Sequence, residues 1–515
     1  MLSKVVSLGF KGIDGFFVNV EADVSNGLPS FNIVGLPDTN VKESRDRVLS
    51  AIKNSGFNLP SKKIVVNLSP SDIKKTGTHY DLPIALAIIL ASDSAMADNI
   101  NISDKLFIGE LALDGTIKPV VGVLPMLISV KEKDEDKTVI IPLGNEKEAF
   151  LSGVNFYTVN NLKNLVYYLK GEISLSRPEP DNFKKENPAK EHLDLSDVKG
   201  QNFAKRAIEI AAAGFHNIIM IGPPGSGKSM LSKRISTIMP PMNDSEILET
   251  TKIYSVAGLN RGELITQRPF REPHHTISDV ALIGGGTNPK PGEISLAHNG
   301  ILFLDEFPEF SRAAIEALRE PMESGKITVS RVRDSVCYPA KFLLVASANP
   351  CPCGYFGHPV KNCLCTPIQI KKYRAKLSGP IMDRIDIHIE VVPVKFNEWS
   401  DNKSSDKTSS AVYERVERAI SIQFKRFERF RFNSSMSSSE IKKYCKTDSE
   451  SYSMIEKAMD KMGYSARSVD KIMKIARTIA DLEGSENIKK EHMAEALHYR
   501  TLDKNIAIDG SFGYD

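Results

Sequence analysis

Apolar positions along the chain fall into short runs between polar turns, and their spacing predicts the elements. Ile64-Val-Val-Asn-Leu68 and Thr138-Val-Ile-Ile141 have the length and β-branching of buried strands. Leu82 to Ala91 is apolar on every side and reads as a buried helix. From Leu193 to about Val394, strand-like runs alternate with helical stretches, the pattern of a parallel α/β sheet. Beyond that the chain is helical, with Ser437-Ser-Ser-Glu440 as an N-terminal capping box. Two polar stretches interrupt the pattern: Arg177 to Glu191, which carries prolines, and Asp401 to Ser410. The expected organisation is an α+β block over 1–170, a linker over 171–192, an α/β core over 193–395 and a helical block over 396–515. No internal repeat and no heptad pattern is visible.

Composition narrows the class. The chain has 515 residues, which at roughly 100–200 per domain predicts about three domains. A formal charge of +3 excludes an acidic tail protein and a histone-like polycation, and it permits nucleic acid binding through local basic patches. The longest apolar run, Leu82 to Ser92, contains Pro83 and is far short of the roughly 20 residues a membrane span needs. The first residues carry no long apolar segment, so no membrane partner and a cytoplasmic location are expected. Four of the six cysteines, Cys351, Cys353, Cys363 and Cys365, crowd together; in a cytosolic chain that favours a metal over disulfides.

The strongest chemistry lies at Gly222-Pro-Pro-Gly-Ser-Gly-Lys-Ser229, between the apolar run Ile218–Ile221 and a helix expected over Met230–Ile238. This is a complete phosphate-binding loop in its strand–loop–helix context. In the loop Gly222, Pro223, Pro224, Gly225, Ser226 and Gly227, the glycines Gly225 and Gly227 let backbone N–H groups curl around phosphate oxygens. Lys228 is expected on the β- and γ-phosphates of ATP and Ser229 on Mg²⁺. Gly300-Ile-Leu-Phe-Leu-Asp-Glu306 supplies an acidic partner. Asp305 would hold Mg²⁺ through water, and Glu306 would polarise the attacking water. A third apolar run, Lys341 to Ala348, ends in Asn349, which either orients that water or only turns the chain before Pro350.

These three elements in this order resemble an AAA+ ATPase. Gly379-Pro-Ile-Met-Asp-Arg-Ile-Asp386 is similar to that superfamily's arginine-finger segment and implies Arg384 as the residue given to a neighbouring subunit. Tyr464-Ser-Ala-Arg-Ser468 resembles the sensor-2 helix start and implies Arg467 on the nucleotide's phosphates. Arg268-Pro-Phe-Arg-Glu-Pro-His-His275, Gly284-Gly-Gly286, Pro291 to His298, Ala317 to Glu323 and Asn349-Pro-Cys-Pro-Cys-Gly354 resemble the magnesium-chelatase-like ATPases of the ComM/YifB family over essentially the whole chain. The resemblance implies a hexameric ring that moves DNA, single-stranded or branched, and drives branch migration in natural transformation or recombination.

The first block, with Gly77-Thr-His-Tyr-Asp-Leu-Pro83 and Gly109 to Pro119, is similar to the Lon proteolytic domain with its ribosomal-S5-like fold. That chemistry needs a serine and a lysine. Asp81 or a neighbour stands at the serine's place, and Leu124 and Met126 stand where the lysine should be, so an inert domain is expected. The competing functions are a chelatase-like motor that remodels a protein and, less favoured, an ATP-dependent peptidase.

Four thiolates match a tetrahedral zinc site in number, with His358 as a substitute ligand; the alternative is reduced buried thiols. For DNA, the segment Lys326 to Ser335 reads as a hairpin carrying Arg331 and Arg333, which the family resemblance places toward a central pore. Arg261 to His275, with Arg268 and Arg271, is a second pore-loop candidate. In the run Arg415 to Arg431, packing is expected for the phenylalanines and solvent for the charges.

Overall fold

The computed structural model describes residues 1–133, 136–175, 178, 193–260, 263–286, 289–331, 334–394, 408–462 and 464–500. The chain forms two compact units. Met1–Pro188, Leu248–Leu264 and Gly286–Pro291 make the first; Ala189–Ile247, Ile265–Gly285 and Gly292–Asp515 make the second.

A seven-stranded sheet organises the first unit. Its centre is a long antiparallel pair, Leu2–Lys11 against Asp14–Ser25, and Lys63–Ser69 adds to the second strand. Asp14–Ser25 alternates buried and half-buried positions, as a strand with one covered face must. The expected strands at 64–68 and 138–141 are present as Lys63–Ser69 and Thr138–Pro142. Helix Asp81–Ser92 has no exposed face until its last residue, which explains its apolar sequence. Its first residue, Asp81, is nevertheless buried. Arg47 satisfies it with two hydrogen bonds, 2.7 Å and 3.1 Å long, and Leu111 N–H adds a weaker one. Burial outweighs the Arg47 bond and pushes the carboxyl up to about 6.

In the second unit a five-stranded parallel sheet has the order Phe270–Arg271, Ile301–Leu304, Leu343–Ala348, Ile218–Ile221, Ile387–Glu390. The three central strands are wholly buried, hence their apolar sequences, broken only by Ser347. Every strand points the same way, so the loops leaving their carboxyl ends share one edge, where α/β sheets place ligands. The hairpin Lys326–Arg331 with Asp334–Pro339 precedes the Leu343–Ala348 strand, with Arg331 opposite Asp334.

The helical block, including Ser409–Phe427, Ser438–Tyr444 with its capping box, Ala466–Leu482 and Lys490–His498, shares one apolar core with the sheet. A buried ion pair joins them: Lys471 Nζ lies 2.9 Å from Asp386, next to the sheet strand Ile387–Glu390. Although burial alone would raise it, Lys471 and His216 hold the Asp386 carboxyl far below the usual carboxylate range. The run from Arg415 to Arg431 corrects an expectation. Phe427 and Phe430 pack on the core and Phe432 is buried, but Phe424 is exposed. The arginines are not simply solvated: Arg415 pairs with Glu209, Arg426 with Asp481 and Arg431 with Glu440. Glu209 and Asp481 come from segments 206 and 55 residues away, so sequence periodicity does not reveal them.

Candidate nucleotide site

Strand Ile218–Ile221 delivers the phosphate-binding loop, and the helix after it begins at Lys228, two residues earlier than expected, ending at Arg234 with a 3-10 turn through Thr237. Gly225 and Gly227 have φ of 77° and 91°, which only glycine adopts freely, and this backbone form lets the helix start directly at Lys228. A Cβ at either would meet nothing within 4 Å, so conformation rather than crowding requires glycine there.

Lys228 curls back on its own loop. Its Nζ donates to Gly222 O at 2.7 Å, Pro223 O at 2.9 Å and, more weakly, Asn349 Oδ1 at 3.4 Å. Burial lowers the ammonium to about 8, against the opposing pull of Asp305 and Glu306. The buried Ser226 hydroxyl has no hydrogen-bond partner among the described residues. Buried polar groups are normally satisfied, so an orphaned hydroxyl inside a phosphate loop is consistent with a site that completes itself on a ligand.

Sheet register brings the acidic end to this loop. Leu304 pairs with Ala346 and Ile221 with Ala348, so Asp305 and Ser347 emerge side by side next to the loop. Asp305 accepts from Ser229 Oγ at 2.8 Å, from Ser347 Oγ and from Glu306 N–H. Ser229 and Asp305 thus converge on one point and fit a shared divalent cation. Glu306 has φ of 52°, the left-handed region, which costs a non-glycine residue about 1 kcal/mol or more. Its half-exposed carboxylate lies within 3.3 Å of His275 Nδ1. The structure therefore gathers Lys228, Ser229, Asp305 and Asn349, with Glu306 adjacent. His275, from the segment expected to be a pore loop, instead stands beside Glu306, and Ser347 joins the site without a motif of its own. Ser347 has a usable signal, since it lies two residues before Asn349 on the same strand.

Arg384 does not join this cluster within one chain. It forms an ion pair with Glu323 and donates to Pro380 O at 2.7 Å. Arg467 is exposed on the first turn of Ala466–Leu482, whose N-cap is Ser465.

The cysteine sulfurs of residues 351, 353, 363 and 365 lie within 4.8 Å of one another. His358 does not join them. Its Nδ1 accepts the N–H groups of Val360 and Lys361 at 3.1 Å and 3.0 Å, which fixes the turn between the cysteine pairs.

The expected DNA contacts fare unevenly. Arg268 is corrected: its side chain is only 4% exposed and is held by Glu246, Pro240 O, Pro241 O and Asn299 O, with Phe432 beneath it. It is a structural arginine with no free fork for phosphate. Arg271 is bound bidentately by Glu293, at 2.6 Å and 2.7 Å, and is only part exposed. Arg331 closes the hairpin strand, while Arg333 and Arg261 lie outside the described residues.

Comparison with known proteins agrees with this geometry. The family model for magnesium chelatase, subunit ChlI, matches residues 194–399. Further models for subunit ChlI of Mg-chelatase and for the ChlI C-terminal region match 20–145 and 406–500. Competence protein ComM of Haemophilus influenzae is 42% identical over 510 residues, 97% of this chain and 98% of its own length. The uncharacterized protein YifB of Escherichia coli is 41% identical, covering 98% of each. The magnesium-chelatase 38 kDa subunit of Cereibacter sphaeroides is 25% identical over 31% of this chain and 54% of its own. Full-length identity of this order, on a parallel sheet with a phosphate loop at its carboxyl edge, places the chain in the ComM/YifB family of magnesium-chelatase-like AAA+ ATPases.

Proposed function

We propose that the protein hydrolyses ATP as a DNA motor, working as a homo-oligomeric ring, a hexamer, that drives branch migration in natural transformation or recombination. The observation that carries the ATPase half is the convergence of Lys228, Ser229, Asp305 and Asn349 at one sheet edge. The DNA half draws on the competence name of a full-length relative.

Lys228 exchanges its loop carbonyls for the β- and γ-phosphate oxygens. Mg²⁺, when bound, would be held by Ser229 and Asp305 and would neutralise phosphate charge. Glu306 accepts the proton of the attacking water, Asn349 orients that water, and Arg467 contacts phosphate. Arg384 leaves Glu323 and enters the neighbouring subunit's site, which requires an oligomer. Arg331 and Arg333 contact DNA phosphates without reading sequence, so binding weakens with salt. The first unit serves as an inert, Lon-like platform. No described helix is long and apolar enough to cross a membrane, in keeping with a cytoplasmic motor.

A second reading, a motor that remodels a protein partner as chelatase subunits do, is favoured by the internal pairing of Arg268 and Arg271. ATPase rate with and without single-stranded DNA, together with unwinding of a branched substrate, separates the two. Stimulation and unwinding are expected. Absence of both, with no DNA binding at low salt, would establish the second reading in its place.

A further inference from the structure

The loop after Asn349 carries a cluster that the nucleotide chemistry does not use. All four of its cysteines are free thiols. Three sulfur–sulfur separations are 3.4, 3.7 and 3.6 Å. Four ligands about 2.3 Å from a tetrahedral zinc ion stand about 3.8 Å apart, close to this spacing. Two backbone N–H groups already point at the sulfurs: Cys353 N–H at Cys365 Sγ, 3.4 Å, and Phe356 N–H at Cys351 Sγ, 3.3 Å. Such donors orient thiolates around a metal and share their negative charge. With His358 engaged elsewhere, the donor set is four sulfurs, the soft set zinc prefers among abundant ions.

The same loop touches the nucleotide site. Cys351 is two residues beyond Asn349. At Gly354, where φ is 82°, a Cβ would fall 2.6 Å from Pro224 Cδ, so the loop lies directly on the phosphate-binding loop. Arg374 clamps its other side, donating to Pro350 O and covering the Phe356 ring at 5.0 Å. No disulfide ties Cys351, Cys353, Cys363 and Cys365 to one another, and the segment they bound lies against both Pro224 and Asn349.

We propose that the four cysteines bind one zinc ion, and that this metal holds the loop against Pro224 with Asn349 in place, so that zinc content governs hydrolysis. The site itself stands without the ATPase reading; its effect on turnover rests on it.

The test uses the full chain, expressed in zinc-supplemented medium. Metal analysis should find about one zinc per chain. Cys363→Ser should fall below about half an equivalent, and cobalt loading should give a sulfur-to-cobalt charge-transfer band in the parent but not in the variant. Less than about half an equivalent in the parent overturns the site. Because Cys363→Ser could misfold, the coupling is read on parent protein stripped with a zinc-selective chelator in excess Mg²⁺, then reloaded. Stripping should lower kcat by about tenfold or more, since a misplaced positioning group costs on that order, and zinc should restore it. Equal kcat and equal affinity for a fluorescent ATP analogue before and after stripping overturn the coupling. One zinc per chain with no ATPase activity under any condition keeps the site but overturns both the coupling and the ATPase reading.

Discussion

Two clusters of charged residues, one in each unit, show how differently the same side chains can be used. In the first unit, Asp81 and Arg47 pair and Thr78 donates to Glu110. Lys75 is spent on the carbonyls of Pro70 and Ile73. Beside them His79 is buried, with its Nε2 unpartnered among the described residues like the Ser226 hydroxyl, but burial pushes it down to about 3, so it stays neutral at any physiological pH. In the second unit, Lys228 is held by its own loop's carbonyls, Ser229 and Asp305 hold each other, the Ser226 hydroxyl has no partner among the described residues, and Glu306 sits strained and half-exposed. Polar groups that satisfy one another stabilise a fold. Polar groups left partly satisfied at a sheet edge await a ligand.

The largest effect that could break this contrast is at Lys228. Lys228→Ala should abolish nucleotide binding in a fluorescent-analogue titration while leaving the melting temperature nearly unchanged; normal binding would remove the site. Next, Glu306→Gln should bind ATP normally but hydrolyse it about 10²- to 10⁴-fold more slowly in a steady-state assay. An unaltered rate would move the base elsewhere, with His275, 3.3 Å from Glu306, a candidate. In the first unit the expected loss is of stability. Arg47→Ala strands the buried Asp81 and should cost about 2 kcal/mol in denaturant unfolding, with ATP turnover retained. A turnover defect without a stability change would show that this cluster is chemical after all.

The smallest expected effect concerns pH. Lys228 ionises near 8 in the free protein, and phosphate contact must raise that value. Affinity for the analogue should therefore be full below about pH 8. It should then fall by up to tenfold per pH unit above, until the raised value of the complex is reached. An affinity flat from pH 7 to 9.5 would mean that Lys228 keeps its proton without phosphate.

Legibility from sequence followed distance along the chain. The phosphate loop, the Asp305–Glu306 strand end and the Ser437 capping box are local, so their residues declare them. Arg268 looked like a basic loop residue because Glu246, Asn299 and Phe432, which bury it, are far away in sequence. Arg384 and Glu323 are 61 residues apart, and Ser347 and Asp305 42.

The sequence alone determined that a phosphate-binding loop, an acidic strand end and four clustered thiols exist, since each depends on a short pattern with fixed local geometry. Tertiary structure decided which charges are free. Sheet register set Ser347 and Asn349 beside the loop, packing spent Arg268 and Arg271 inside the fold, and Gly354 came to rest on Pro224. The physical reason is that a charged side chain's role is set by the partner it meets when it leaves water, and that partner is chosen by the fold.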